Sequence, residues 1–260
     1  MARVIAIDWS GAAVGAERRI WIAEALDGEL LFLEDGRTRE QVVDWLVERR
    51  AQVPEAIVGI DFAFSYPSWF LDAHDCSTID TLWELVREQG EQWLTTSPAP
   101  FWGRPGQRRG AEVQLRACEE GWNVRGIVPK SVFQIGGAGA VGTGTIRGIP
   151  LLARMRDSGW AIWPFDEPST HVVVEIWPRL LTGPVAKSSS IERRAWLDTH
   201  ATLPAPIAER TISSEDAFDA AASALVLSRC SDLSETLAAP LTSNPLEGSI
   251  FFPQSLRRTP

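Results

Sequence analysis

The chain has 260 residues, 45% of them hydrophobic, which is enough to bury a full core as one large domain without disulfide or metal staples. Its net charge of -9 argues against nonspecific duplex binding, since phosphate affinity rests on neutralisation by Lys and Arg. Cys76, Cys118 and Cys230 lack metal-type or redox spacing and the three histidines give no zinc pattern. No charged-then-apolar leader or long apolar span is visible, so a cytoplasmic protein with buried thiols and no membrane partner is expected.

The opening predicts three strands, over residues 3–8, 19–25 and 29–34, whose short connections make them antiparallel neighbours. A helix over 39–51 is announced by the Thr38-x-x-Gln41 capping box and by Val42, Val43, Leu46 and Val47 at helical spacing. The strand predicted over 56–62 is reached through that helix and should lie parallel to one of the first three. From 65 to 170 the pattern reads as an elaboration, with helices near 79–94, 110–120 and 151–157 and a Gly-rich passage at 136–148. A strand over 171–177, a polar helix over 190–199, a small-residue helix over 214–228 and a short strand over 249–252 complete the order.

Five carboxylates stand out against this order. Asp8 in VIAIDWSG, Asp61 in IVGIDFAF and Glu175 in HVVVEIWP each close an apolar run, at the strand ends where α/β sheets carry their sites. Asp216 and Asp219 are three apart on a predicted helix and share a face, and such a cluster needs a cation to tolerate its own repulsion. Plainer roles exist for each: a strand-end acid can form a turn or cap, Asp216 can cap the helix after Ser213 and Ser214, and Glu175 can pair with an arginine such as Arg179.

Residues 101–130 carry Arg104, Arg108, Arg109, Arg116, Arg125 and Lys130 against Glu112, Glu119 and Glu120, either a solvated face or an anion-facing surface. Lys130 is one of two lysines and precedes a predicted short strand in PKSVFQIGG. Its ammonium is a candidate contact for a scissile phosphate, with Arg104 and Gln134 as weaker candidates. Gly137 to Gly142 fits G-x-G-x-x-G, but the third glycine is not expected to open a helix. A flexible loop that cradles phosphate through backbone N–H groups is therefore preferred to a dinucleotide site. Ser10 has no triad partners. Most of the twelve tryptophans should pack the core, while Trp102 and Trp122 lie in the basic stretch, where base stacking is the other option.

The order β-β-β-α-β, inserted helices, β and a final helix resembles an RNase H-like core, and Asp216-Ala-Phe-Asp219-Ala is similar to the D-A-x-D-A helix of Holliday-junction resolvases. More closely, IDWSG, GIDFAFSYP, PKSVFQIGGAGAVGTGTIRGIP, VEIWPR, DAFDA and EGSIFFP resemble an uncharacterised family of predicted RNase H-fold nucleases. The resemblance implies one α/β domain over 1–260. Its mixed sheet, three antiparallel strands then parallel ones, would be flanked by helices, with a large insertion at 65–170 between strands four and five. It further implies a metal-dependent nuclease or phosphodiesterase holding Mg²⁺ or Mn²⁺ on Asp8, Asp61, Glu175, Asp216 and Asp219, with Asp8 bridging two metals. Asp8, Asp61, Glu175, Asp219 and Lys130 would be catalytic, acting on nucleic acid or a small phosphodiester. Two other readings are an actin-like or sugar-kinase-like nucleotide binder, which would need a second copy of the core, and a noncatalytic module for an anionic ligand on the same fold.

Overall fold

In the computed structural model, which describes residues 3–241 and 244–257, the chain opens with the three strands that the sequence predicts, β1 (Arg3–Asp8), β2 (Trp21–Leu26) and β3 (Glu29–Glu34). Helix α1 (Arg39–Gln52) starts at the Thr38 box: Gln41 N–H donates to Thr38 Oγ1 at 3.3 Å, and Thr38 N–H donates to Gln41 Oε1 at 2.9 Å. Strand β4 (Ala56–Ile60) follows, then α2 (Ser68–Ala73), α3 (Ile79–Thr96), α4 (Val141–Asp157), the two-residue β5 (Ala161–Ile162) and β6 (His171–Glu175). The remaining helices are α5 (Pro178–Thr182), α6 (Ser190–His200), α7 (Ala205–Ile212), α8 (Glu215–Leu227), α9 (Leu233–Ala238) and α10 (Gln254–Arg257).

The six strands form one mixed sheet in the order β3-β2-β1-β4-β6-β5, with β1, β2 and β3 antiparallel and β4, β6 and β5 parallel to β1. Apolar residues cover both faces. Ile5, Ile7, Val58, Ile60 and Val173 pack with Val42 and Leu46 of α1, Leu82 and Val86 of α3, and Ile146 and Ile149 of α4. Val4, Ala6, Ile57, Val172 and Val174 pack with Leu181 of α5, Ala208 of α7 and the inner side of α8. Ala217, Ala220, Ala221 and Ala224 are buried on α8, and their short side chains let the helix axis approach the sheet closely.

Register decides which acids meet. Ile7, Ile60 and Glu175 form one row across β1, β4 and β6. Pairing runs one residue further, since Asp61 N–H donates to Ile7 O and Ile176 N–H to Ile60 O, both at 3.0 Å. Because side chains alternate along a strand, Asp8 and Asp61 turn toward the α8 face while Glu175 turns to the opposite one.

Four sequence expectations need correction. The helix expected over 110–120 is only a 3₁₀ turn at Ala117–Glu119, because Arg116 and Gln114 spend their side chains on buried bonds across the fold. The short strand after Lys130 is a turn with a single bridge between Gln134 and Trp102. The helix expected from 151 begins at Val141, so the third glycine of the G-x-G-x-x-G run, Gly142, does lie in a helical first turn. No strand leads into that turn, and the dinucleotide reading still lacks its β-α context. The final segment returns as a single bridge between Ile250 and Glu175.

Candidate functional site

Asp8 ends β1 and Asp61 follows β4, and the residue after each is a buried aromatic, Trp9 or Phe62. These rings lie 5.2 Å apart between centroids and dock on two glycines of α4. A Cβ on Gly148 would fall 2.6 Å from the Phe62 ring, and one on Gly144 would be 3.6 Å from Trp9 Cδ1. Gly11 lies on the same helix: its own Cβ would be 2.3 Å from Gly144 N. Arg147 of α4 donates to Gly11 O and Arg39 of α1 to Ser10 O, at 2.5 and 2.9 Å, so the turn after Asp8 is tied from two sides.

The other two aspartates come from α8. Ser214 caps that helix, its Oγ accepting the Ala217 N–H at 3.0 Å, so Asp216 is left in the first turn without the capping role. Asp219 lies one turn on and faces Asp8 and Asp61. Its Oδ2 accepts from Lys187 Nζ at 2.5 Å, while its Oδ1 is buried without a partner. Lys187 is itself buried, on the segment between α5 and α6. Buried Arg193 holds that segment by donating to the Lys187 carbonyl and, at 2.6 and 3.1 Å, to Ile212 O.

Electrostatics follow from this crowding. Burial first, then the charges of Asp219, Asp61 and Asp216, raise the Asp8 carboxyl well above the usual carboxylate range, and Lys187 opposes them. Asp61 is pushed up to about 7, by burial and then chiefly by Asp219. Asp219 and Asp216 are also raised by burial, with Lys187 pulling Asp219 back and Arg19 pulling Asp216 back. Four carboxylates thus share one buried ammonium.

Glu175 sits apart from this group, on the other face. Both its oxygens are taken by the fully buried Arg116, one at 2.8 Å, and Phe64 N–H donates to Oε2 at 3.1 Å. Arg116 also pairs with Glu119 at 2.7 Å and donates to Glu247 O at 3.1 Å. The arginine partner is therefore Arg116, 59 positions away in sequence, and not Arg179, which donates to Gly183 O and Val185 O.

Lys130 is exposed at the mouth of a cavity of about 280 Å³ that Asp61 and Glu175 also line. Its side chain runs beside Gly139, whose added Cβ would be 3.4 Å from Lys130 Cε. Gln134 does not face the cavity mouth as an anion contact. Its side-chain amide donates to Gly136 O and Ala138 O, at 3.2 and 2.9 Å, and its backbone carbonyl accepts the Gly142 N–H at 3.0 Å, so it shapes the glycine loop from within. Arg104 is exposed and reaches only Thr95 O, at 3.4 Å. Trp102 and Trp122 use their indole N–H groups internally, on Gln114 and on Cys118 O.

The structure thus brings Asp8, Asp61, Asp216 and Asp219 within electrostatic reach of one another and sets Lys130 across a cavity from Asp61; Glu175, bound by Arg116 on the other sheet face, lines the same cavity and adds to the charge that raises Asp61. Lys187 was missed by sequence reasoning; its one available signal was rarity, as the other lysine in a chain that otherwise uses Arg. Among the described residues no group of three or more His, Cys, Asp or Glu side chains is disposed as it stands to hold a metal ion, and no helix is long and apolar enough to cross a membrane. Compared with protein-family models, curated proteins and solved structures, the chain matches none, and the residues at this sheet edge carry the functional reading.

Proposed function

We propose that the chain is a phosphodiester hydrolase of RNase H-like architecture that works with bound Mg²⁺ or Mn²⁺. The observation that carries this reading is the convergence of Asp8, Asp61, Asp216 and Asp219 on Lys187, their one shared buried ammonium, with the Asp219 Oδ1 lone pairs unsatisfied. Buried carboxylates that repel one another are costly unless a cation compensates them, and an all-oxygen donor set suits Mg²⁺ or Mn²⁺ better than zinc. The sheet order, with three antiparallel strands followed by parallel ones and an acid helix laid on the β1 end, also supports it.

Asp8, Asp61 and Asp219 would hold the metal, with Asp216 contributing from the solvent side of α8. When bound, such ions lower the pKa of water and stabilise a leaving oxygen. The chain's own residues do the positioning. Trp9 and Phe62, docked on Gly144 and Gly148, fix the backbone that bears Asp8 and Asp61. Lys187 holds the charge of Asp219 in the metal-free protein. Glu175 and Arg116 clamp the end of β6 to the residues after β4 through Phe64 N–H, and so keep the two parallel strand ends aligned.

Hydrolysis of bis(p-nitrophenyl) phosphate and of a short single-stranded oligonucleotide, measured in Mn²⁺, Mg²⁺ and EDTA, tests the reading. Activity is expected with metal, none in EDTA, and at least ~10²-fold less in Asp8→Asn and Asp219→Asn. Absence of metal-dependent hydrolysis in the wild type, or its full retention in both variants, contradicts it.

A further inference from the structure

Of the 25 basic residues only Lys130 and Lys187 are lysines, and Lys187 is the one placed against the acid cluster. Two buried acids elsewhere are locked by arginine. Arg49 takes both oxygens of Glu24, at 2.8 and 2.5 Å, and Arg116 takes both oxygens of Glu175. A planar guanidinium that grips two oxygens at once resists removal, whereas an ammonium is a point charge on a flexible four-carbon stem. Asp219 is met by the ammonium. Lys187 Nζ takes its Oδ2 at 2.5 Å and leaves Oδ1, also buried, with no partner.

The backbone that bears this lysine is fixed. Arg193 donates to Lys187 O, and Arg179 donates to Gly183 O at 3.0 Å and to Val185 O at 2.6 Å, so the segment is pinned at three carbonyls. The lysine side chain is 9% exposed. Its charge acts on Asp8, Asp61, Asp216 and Asp219 alike. A monovalent ion in its place would bring the same single charge and forfeit the ammonium hydrogen bond. A divalent ion brings one charge more to the same oxygens and can use Asp219 Oδ1 as well.

We infer that Lys187 is a resident counter-ion that a divalent metal must displace from Asp219, and that it thereby sets both the affinity of the acid site and its preference for divalent over monovalent cations. The inference rests on the metal-binding part of the hydrolase reading. Lys187 is then a positioning residue for Asp219 in the metal-free protein and a competitor of the incoming ion, and its pinned backbone confines the exchange to the side chain.

Amine acetylation of the full-length wild type, read by peptide mass spectrometry, tests the displacement, with exposed Lys130 as the internal reference. Lys187 is expected to react slowly in EDTA and ~10-fold faster in saturating Mn²⁺, while KCl at the same ionic strength leaves it slow. Mn²⁺ titration followed by EPR of the free ion tests the competition. Lys187→Met should bind Mn²⁺ ~10-fold more tightly than wild type, and Lys187→Arg ~10-fold more weakly, because the guanidinium fork can hold both oxygens. A lysine that only supports the fold would weaken binding in both variants. Bound Mn²⁺ with Lys187 still unreactive, or a folded Lys187→Met that binds no more tightly than wild type, overturns the inference and leaves the hydrolase reading in place. No Mn²⁺ binding by the wild type overturns both. Labelling needs no variant, so it decides the matter if Lys187→Met is too unstable to titrate.

Discussion

Asp61 is a carboxylate whose surroundings oppose its charge, and this has a defined consequence for stability. Its folded value of about 7 lies above the unfolded value of 3.8, so the folded state keeps the proton longer. The contribution of this group is fully present below about pH 4 and is lost as the pH climbs through about 7, because the unfolded chain ionises first. Across that window the loss is on the order of a few kcal/mol. Denaturant melts in EDTA from pH 4 to 8 should therefore show a smaller fall in Asp61→Asn than in wild type, and equal slopes would contradict the arrangement. Lys187 makes the complementary point. Lys187→Met leaves Asp219 buried without its ammonium and should cost about 3–5 kcal/mol in EDTA, with part of the loss recovered in Mn²⁺. A urea midpoint unchanged by the substitution would show that the pair is not the counterweight to the acids.

At the level of elements, α4 ties the two strand ends together, and its glycines do so by having no side chain. Gly148→Ala sets a methyl 2.6 Å from the Phe62 ring and should destabilise by about 1–3 kcal/mol, with a further loss of hydrolytic activity because Phe62 adjoins Asp61 and its displacement shifts that carboxylate. Thermal melts and activity of the same sample check both parts; an unperturbed melting temperature would mean that Phe62 is not seated as described. This helix was also the element least legible in the sequence. Its five leading residues include Gly142 and Gly144, and Pro150 interrupts its interior, so local propensity argues against a helix there. The packing of Trp9 and Phe62 on its glycines, contributed by residues more than 80 positions earlier, is what favours it. By contrast β1, β3, β4, α1 and α8 were readable, since short β-branched and apolar runs, a capping box and a run of alanines are local signals.

On the scale of the whole molecule, the sheet sorts the acids by register. Asp8, Asp61 and Glu175 look alike in sequence, each closing an apolar run, and only the cross-strand pairing tells them apart. Asp61 is one residue beyond Ile60, whereas Glu175 is level with it, and that single step sends Glu175 to the face where Arg116 waits. Neither the step nor the pairing of Glu175 with a residue 59 positions away has a local signature. The coarse order of three antiparallel strands, a crossover helix and parallel strands was legible, and so was the meeting of Asp8 and Asp61 with an α8 acid pair. The central claim is that these acids hold a divalent metal. Anomalous diffraction from crystals soaked in Mn²⁺ tests it most directly: the account predicts a peak between Asp8, Asp61 and Asp219 with Lys187 displaced from Asp219, and a Lys187–Asp219 pair that stays intact with no peak beside it would contradict the account.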